Sequence, residues 1–185
     1  MAASRALGGV LGPVVTTFAA DESLDRDGFV ANVRRHLHEG LDGIVVCGSS
    51  GEAALLDEGE REELVSWARE LVPSERWLVA GAGAESTRVV VRRAREAARR
   101  GADAILVVSP HYYLSAMSRD ALLAHFTRVA DASPIPVILY NIPKYAHLTL
   151  EPALVADLAR HENIIGIKDS SGDLELFGKY VDLAQ

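Results

Sequence analysis

The chain has one cysteine among its 185 residues, Cys47, so no disulfide can form within it. A fold without covalent staples fits a reducing, cytoplasmic setting. No apolar run approaches the roughly 20 residues that a membrane-spanning helix needs. Met1 to Gly9 carries one arginine and several small residues but no apolar segment of the leader type, and is read as no signal peptide. Positive charge is in short supply: 19 Lys and Arg against 26 Asp and Glu leave a net charge of −7. That balance argues against a nucleic-acid surface and gives no support to an anionic-membrane binder. The six histidines are scattered, and His36 and His38, two apart on a helical stretch, point different ways, so no metal centre is expected. Nor does a G-x-G-x-x-G loop follow the first strand-like run, where a nucleotide-binding open sheet would carry one. Gly81-Ala82-Gly83 is only superficially similar and reads as close packing of strand on helix.

What is present is alternation. Short β-branched apolar runs are followed by small-residue loops and longer amphipathic stretches. The strands are expected at Leu11–Thr17, Gly43–Cys47, Trp77–Ala80, Ala104–Val108, Val137–Tyr140 and Ile164–Lys168. The helices are expected at Asp25–Glu39, Glu58–Leu71, Ala84–Arg100, Arg119–Ala130, Glu151–Arg160 and Asp173–Ala184. Strands that are apolar on both faces belong in a buried parallel sheet. Gly40 and Gly101 stand where a left-handed C-cap belongs, Pro73 lies just past a helix, and Pro152 begins one. Repeated βα units of about 30 residues imply right-handed crossovers. With no linker or low-complexity segment, residues 1–185 read as a single α/β domain. A (β/α)8 TIM barrel is favoured over a doubly wound sheet, with about six of the eight units present.

Active-site groups of parallel α/β folds stand at the C-terminal ends of the strands. Lys168 closes the sixth. Taken alone, it would be a strand-end lysine whose amine reaches solvent. Among apolar walls, however, desolvation would lower its pKa and free the lone pair to attack a ketone. The resulting iminium stabilises a carbanion on the neighbouring carbon and so makes an enamine from pyruvate without a metal or other cofactor. Tyr140 ends the adjacent strand, and its phenol could carry the protons. Ser49 and Ser50 lie in a glycine-flanked turn after the second strand, a place where backbone N–H groups can meet a carboxylate. Tyr112 and Tyr113 follow the fourth strand; aromatic loop residues are as often packing residues as catalytic ones.

These motifs occur in order: G-P-V-V-T-T-F from Gly12, G-S-S-G-E from Gly48, S-P-H-Y-Y from Ser109, Y-N-I-P from Tyr140 and G-I-K-D-S-S-G-D from Gly166. Together they resemble the dihydrodipicolinate synthase/N-acetylneuraminate lyase family of class I pyruvate aldolases. The resemblance implies that Lys168 forms an imine with pyruvate or a related 2-oxo acid and that Tyr140 donates and accepts protons. It places Ser49 where the family usually has a threonine that passes protons between two tyrosines. Ser50 falls on the next threonine, which with the Gly48 backbone would hold the pyruvate carboxylate. Tyr112 matches a relay tyrosine lent to a neighbouring subunit, which implies a homotetramer built as a dimer of dimers. Lysine-pathway synthases usually carry an arginine two residues after the proline of Y-N-x-P. Here Lys144 and Tyr145 follow Pro143, which favours a relative that cleaves or dehydrates another 2-oxo acid. Because two βα units are missing from the pattern, the alternative expectation is a catalytically inactive fragment of such a barrel.

Overall fold

The computed structural model describes residues 6–183. The stretch up to Arg5, on which the expectation of no signal peptide partly rests, and the last residue expected of the final helix, Ala184, lie outside them. The element order is β1 (Leu11–Pro13), α1 (Arg26–His38), β2 (Gly43–Val46), α2 (Glu58–Leu71), β3 (Trp77–Gly81), α3 (Thr87–Arg99), β4 (Ala104–Val108), α4 (Arg119–Ala132), β5 (Val137–Asn141), α5 (Pro143–Ala146), α6 (Pro152–Ala159), β6 (Ile164–Asp169) and α7 (Leu174–Leu183). This is the expected α/β alternation of six βα units. The chain groups into two compact units, the first running to Gly81 and taking in Arg99–Ala104, the second comprising Ala82–Ala98 and the chain from Ile105 on.

In the first unit β2 pairs in parallel with β1 and with β3. All four residues of β2 are buried, and Phe29 and Val33 of α1 join Leu64, Val65 and Ala68 of α2 in the core. The helices start where side chains satisfy their free N–H groups. Asp25 accepts from Gly28 N, and Asp57 forms a reciprocal capping box with Glu60. Gly40 has the expected left-handed φ, +82°, just past α1. Strand β1 is shorter than expected. Val14 N still donates to Val45 O, but polar side chains then take over: Thr16 Oγ1 donates to Gly51 O, and Thr17 Oγ1 to Asp25 O. Their β-branched character suits a strand, while their hydroxyls hold a loop. Cys47, expected to end β2, has φ +52° and leaves the ladder. Its carbonyl oxygen lies where a Cβ on Gly81 would come within 1.8 Å. Gly81 is therefore a glycine because two strand ends meet there, not because a helix packs on it.

In the second unit β5 pairs in parallel with β4 and with β6. Beneath lie Phe126 and Val129 of α4, Leu154 and Leu158 of α6, and Tyr180 of α7, all nearly inaccessible. The Tyr180 hydroxyl donates to Leu150 O at 2.5 Å. Burial, with the charges of Asp169 and Asp173 behind it, pushes that phenol up to about 12. Short helix α5 has no counterpart among the expected elements: four residues opened by Pro143 at its first position carry no periodicity to read. Along β6 only Ile164 is buried and the rest is half-exposed. The β5–β6 register slips between Val137 and Ile138, whose partners are Ile164 and Gly166, so Ile165 is an extra residue, a β-bulge.

One buried group in this unit makes stability depend on acid. His125 of α4 is 7% exposed, with Nδ1 2.8 Å from Thr87 Oγ1. Among the described residues its Nε2 has no hydrogen-bond partner. Desolvation, opposed in part by the charge of Glu85, lowers its pKa from 6.5 to about 4. The unfolded chain therefore takes up a proton that the folded one refuses. The contribution is fully present above pH 6.5 and is lost as pH falls from there toward about 4, a loss of about 3 kcal/mol. Urea unfolding across that window is expected to show this decline, and His125→Leu is expected to flatten it. Equal slopes for the two proteins would contradict the assignment.

Candidate active site

The parallel register of β5 and β6 sets Tyr140 opposite Lys168 and Asn141 opposite Asp169. Lys168 Nζ lies 4.3 Å from the centroid of the Tyr140 ring. A π face attracts a cation at that range and gives the long lysine stem a fixed end point. Tyr140 is buried, 5% exposed, whereas Lys168 is half-exposed. The expected enclosure of the amine among apolar walls is thus not found in this chain. Among the described residues β6 is the last strand of the sheet, and one flank of Lys168 has no neighbouring strand.

The next rung is polar and fully used. Asn141, 1% exposed, donates through Nδ2 to Asp169 Oδ1 at 2.7 Å and accepts from Leu150 N at 3.0 Å. Its carbonyl oxygen accepts from Ser170 N at 2.8 Å. The Asp169 carboxylate also receives Ser171 N and Oγ, and Ser171 Oγ in turn receives Asp173 N. Sequence reasoning gave Asn141 and Asp169 no role. The available signal was a pair of polar residues directly following Tyr140 and Lys168 at the ends of apolar strands. Because a buried amide is costly unless paired, this network pins the two strand ends that carry the amine and the phenol.

Tyr112 is 76% exposed and Tyr113 68%. Their rings meet edge-on with centroids 4.9 Å apart, so within this chain Tyr112 is a surface side chain. Lys144, on α5, is exposed with Nζ 5.2 Å from the centroid of Tyr145. In the first unit, Gly48 is buried and leads into a 3-10 turn, Ser49–Gly51, with Ser49 and Ser50 exposed. The turn offers fewer N–H groups than expected. Those of Gly51 and Ala53 return to Gly48 O and that of Glu52 to Ser49 O. It is braced from two sides, by Thr16 donating to Gly51 O and by the buried Arg61 donating to Ala53 O and Gly81 O. Arg61 was not legible as a support, since it is one of two arginines on a helix whose other charges are acidic. Among the described residues no group of three or more His, Cys, Asp or Glu could hold a metal ion, and no helix is long and apolar enough to cross a membrane.

An amine and a phenol on one rung are groups that can serve as a nucleophile and a proton donor and acceptor. Comparison with known proteins shows the family. Residues 6–185 match the sequence model of the dihydrodipicolinate synthetase family. The 4-hydroxy-tetrahydrodipicolinate synthase of Methanoculleus marisnigri is 41% identical over 176 residues, which cover 94% of this chain and 60% of that protein. The synthase of Mycolicibacterium paratuberculosis is 42% identical, covering 95% and 58%. Among solved structures, the chloride-inhibited dihydrodipicolinate synthase of Acinetobacter baumannii with pyruvate aligns with TM-score 0.90 at 31% identity, over 95% of this chain and 60% of that one. A prophage protein of the dihydrodipicolinic acid synthase family from E. coli K12, also with pyruvate, aligns with TM-score 0.90 at 34% identity, covering 95% and 59%. The expected fold is borne out: the chain corresponds to about six βα units of a (β/α)8 barrel and spans about three fifths of the length of the relatives it matches.

Proposed function

Because the chain belongs to the dihydrodipicolinate synthetase family, we propose that it serves a lyase of the Schiff-base class acting on pyruvate or a related 2-oxo acid. The observation that carries this reading is the Lys168 amine held 4.3 Å from the Tyr140 ring at paired strand ends. The Nζ lone pair adds to the C2 carbonyl, and the carbinolamine loses water to leave an iminium. Loss of a C3 proton then gives an enamine, whose C3 attacks an aldehyde; the reverse sequence cleaves the bond. Tyr140 supplies a proton to the departing hydroxyl and takes one back. In this reading Ser49 passes that proton on, Ser50 and the Gly48 backbone hold the substrate carboxylate, and Tyr112 completes the relay of a neighbouring copy in a homotetramer. The absence of the fork-shaped guanidinium of the lysine-pathway synthases, with Lys144 and Tyr145 following Pro143, supports a second substrate other than theirs.

A second reading, an inactive fragment of such a barrel, is favoured by the half-exposed β6 that bears the lysine. One experiment separates the two. Borohydride reduction in the presence of pyruvate, followed by peptide mass mapping, is expected to leave a reduced pyruvate adduct on Lys168. An unmodified Lys168 would favour the inactive fragment.

A further inference from the structure

We propose that Glu85 is the positioning residue of the tyrosine loop: its carboxylate clamps the backbone N–H groups of His111 and Tyr112 and so sets where the Tyr112 side chain stands. Glu85 lies in the turn between β3 and α3. Its Oε2 accepts from His111 N at 3.0 Å and from Tyr112 N at 2.9 Å. Its Oε1 lies 3.3 Å from His111 N and 3.2 Å from His111 Nδ1. That same Nδ1 is 3.2 Å from Ser109 O. Both of its neighbours are acceptors, so Nδ1 carries the hydrogen and the imidazole bridges the carboxylate to the end of β4. Two consecutive N–H groups aimed at one carboxylate fix the peptide plane between them, and with it the direction in which the Tyr112 Cα–Cβ bond leaves the chain.

The frame behind the carboxylate is rigid. Arg93 donates to Gly83 O. A Cβ on Gly83 would come within 2.5 Å of Val108 Cγ1, so the turn lies tight on β4. Thr87, two residues past Glu85, is tied to the buried ring of His125. Downstream of Tyr112 the loop closes on itself, with Ala116 N bonded to Tyr113 O and Met117 N to Leu114 O. The clamp therefore joins a braced turn to the front half of the loop. A contact between Glu85 and the His111 ring as exposed as this one adds little to global stability, so its main consequence is loop geometry.

The kinetic part of the test rests on the Schiff-base reading; the exchange part does not. In Glu85→Ala, amide hydrogen exchange at His111 and Tyr112 is expected to accelerate about tenfold, the effect of losing one charge-assisted bond. Turnover of pyruvate with an aldehyde is expected to fall about 10- to 100-fold in kcat, with the KM for pyruvate nearly unchanged. Borohydride trapping on Lys168 should remain as in the parent protein. Glu85→Gln, which keeps one acceptor oxygen at the same reach, is expected to fall between. Added to Tyr112→Phe, Glu85→Ala should cost little more, because both act through one side chain. Unaltered exchange at the two amides, or faster exchange with kcat intact, would overturn the proposal. A parent protein that neither traps pyruvate nor turns over sinks the Schiff-base reading instead, and leaves the clamp to be decided by exchange alone.

Discussion

Lys168→Met is expected to abolish the borohydride-trapped pyruvate adduct and to lower turnover by about a thousandfold or more, in line with the loss of a covalent nucleophile elsewhere. Methionine matches the length and flexibility of the stem but has no lone pair basic enough to form an imine. Lys168→Arg is the sharper control. It keeps a cation that can lie over the Tyr140 ring, where Nζ now stands at 4.3 Å, yet a guanidinium stays protonated and cannot add to a ketone. If the amine served only as a charge that attracts a carboxylate, the arginine variant would retain most of its activity. If it is the nucleophile, both variants fail alike while their folds persist, because Lys168 is half-exposed and its stem fills no core cavity. Retained trapping at another lysine in either variant would move the nucleophile elsewhere.

Asn141→Leu is expected to destabilise the chain by about 4 kcal/mol, read as the shift in urea unfolding free energy. The side chain volume is nearly kept, so the cost is polar. The Asp169 carboxylate loses the Nδ2 donor at 2.7 Å, and Leu150 N loses its acceptor in a buried place. An orphaned N–H and a weakened carboxylate partner cost roughly 1–3 kcal/mol each. Typical domains have only about 5–15 kcal/mol in hand, so this change alone takes a large share. Pyruvate trapping should weaken as well, since Asn141 and Asp169 hold the strand ends next to Tyr140 and Lys168. A variant with parental stability would show that the network is dispensable.

Much of this was readable from residue order. The bounds of α2 and β4 coincide with the apolar and amphipathic runs that suggested them, because continuous burial leaves little room for alternatives. The chemical pair was readable too, since an amine and a phenol closing neighbouring apolar strands are conspicuous. Other features depended on partners distant in sequence. Val14 to Thr17 has the composition of a strand, yet Thr16 and Thr17 are claimed by carbonyls 35 and 8 residues away. Glu85 is one acid among 26 Asp and Glu, and only the folded loop reveals that its carboxylate meets the N–H groups of His111 and Tyr112. The exposure of Lys168 follows from which strand lies last in the sheet, a property of no single residue.

The extra residue at Ile165 has a consequence for how such chains change. Were β6 paired without it, Ile167 rather than Lys168 would face Tyr140, because each position beyond Ile164 would slide by one. The run Ile-Ile-Gly-Ile reads equally well in either phase, so hydrophobicity does not guard the choice. Deleting Ile165 would only remove the bulge and leave Lys168 opposite Tyr140, whereas a one-codon deletion at Gly166 or Ile167 with the bulge kept would set Asp169 there and match the loss of the amine itself, although every side chain named in the chemistry survived. The pairing of amine and phenol is written as a count of residues as much as a choice of them, and the length of β6 beyond its bulge matters as much as the side chains it carries.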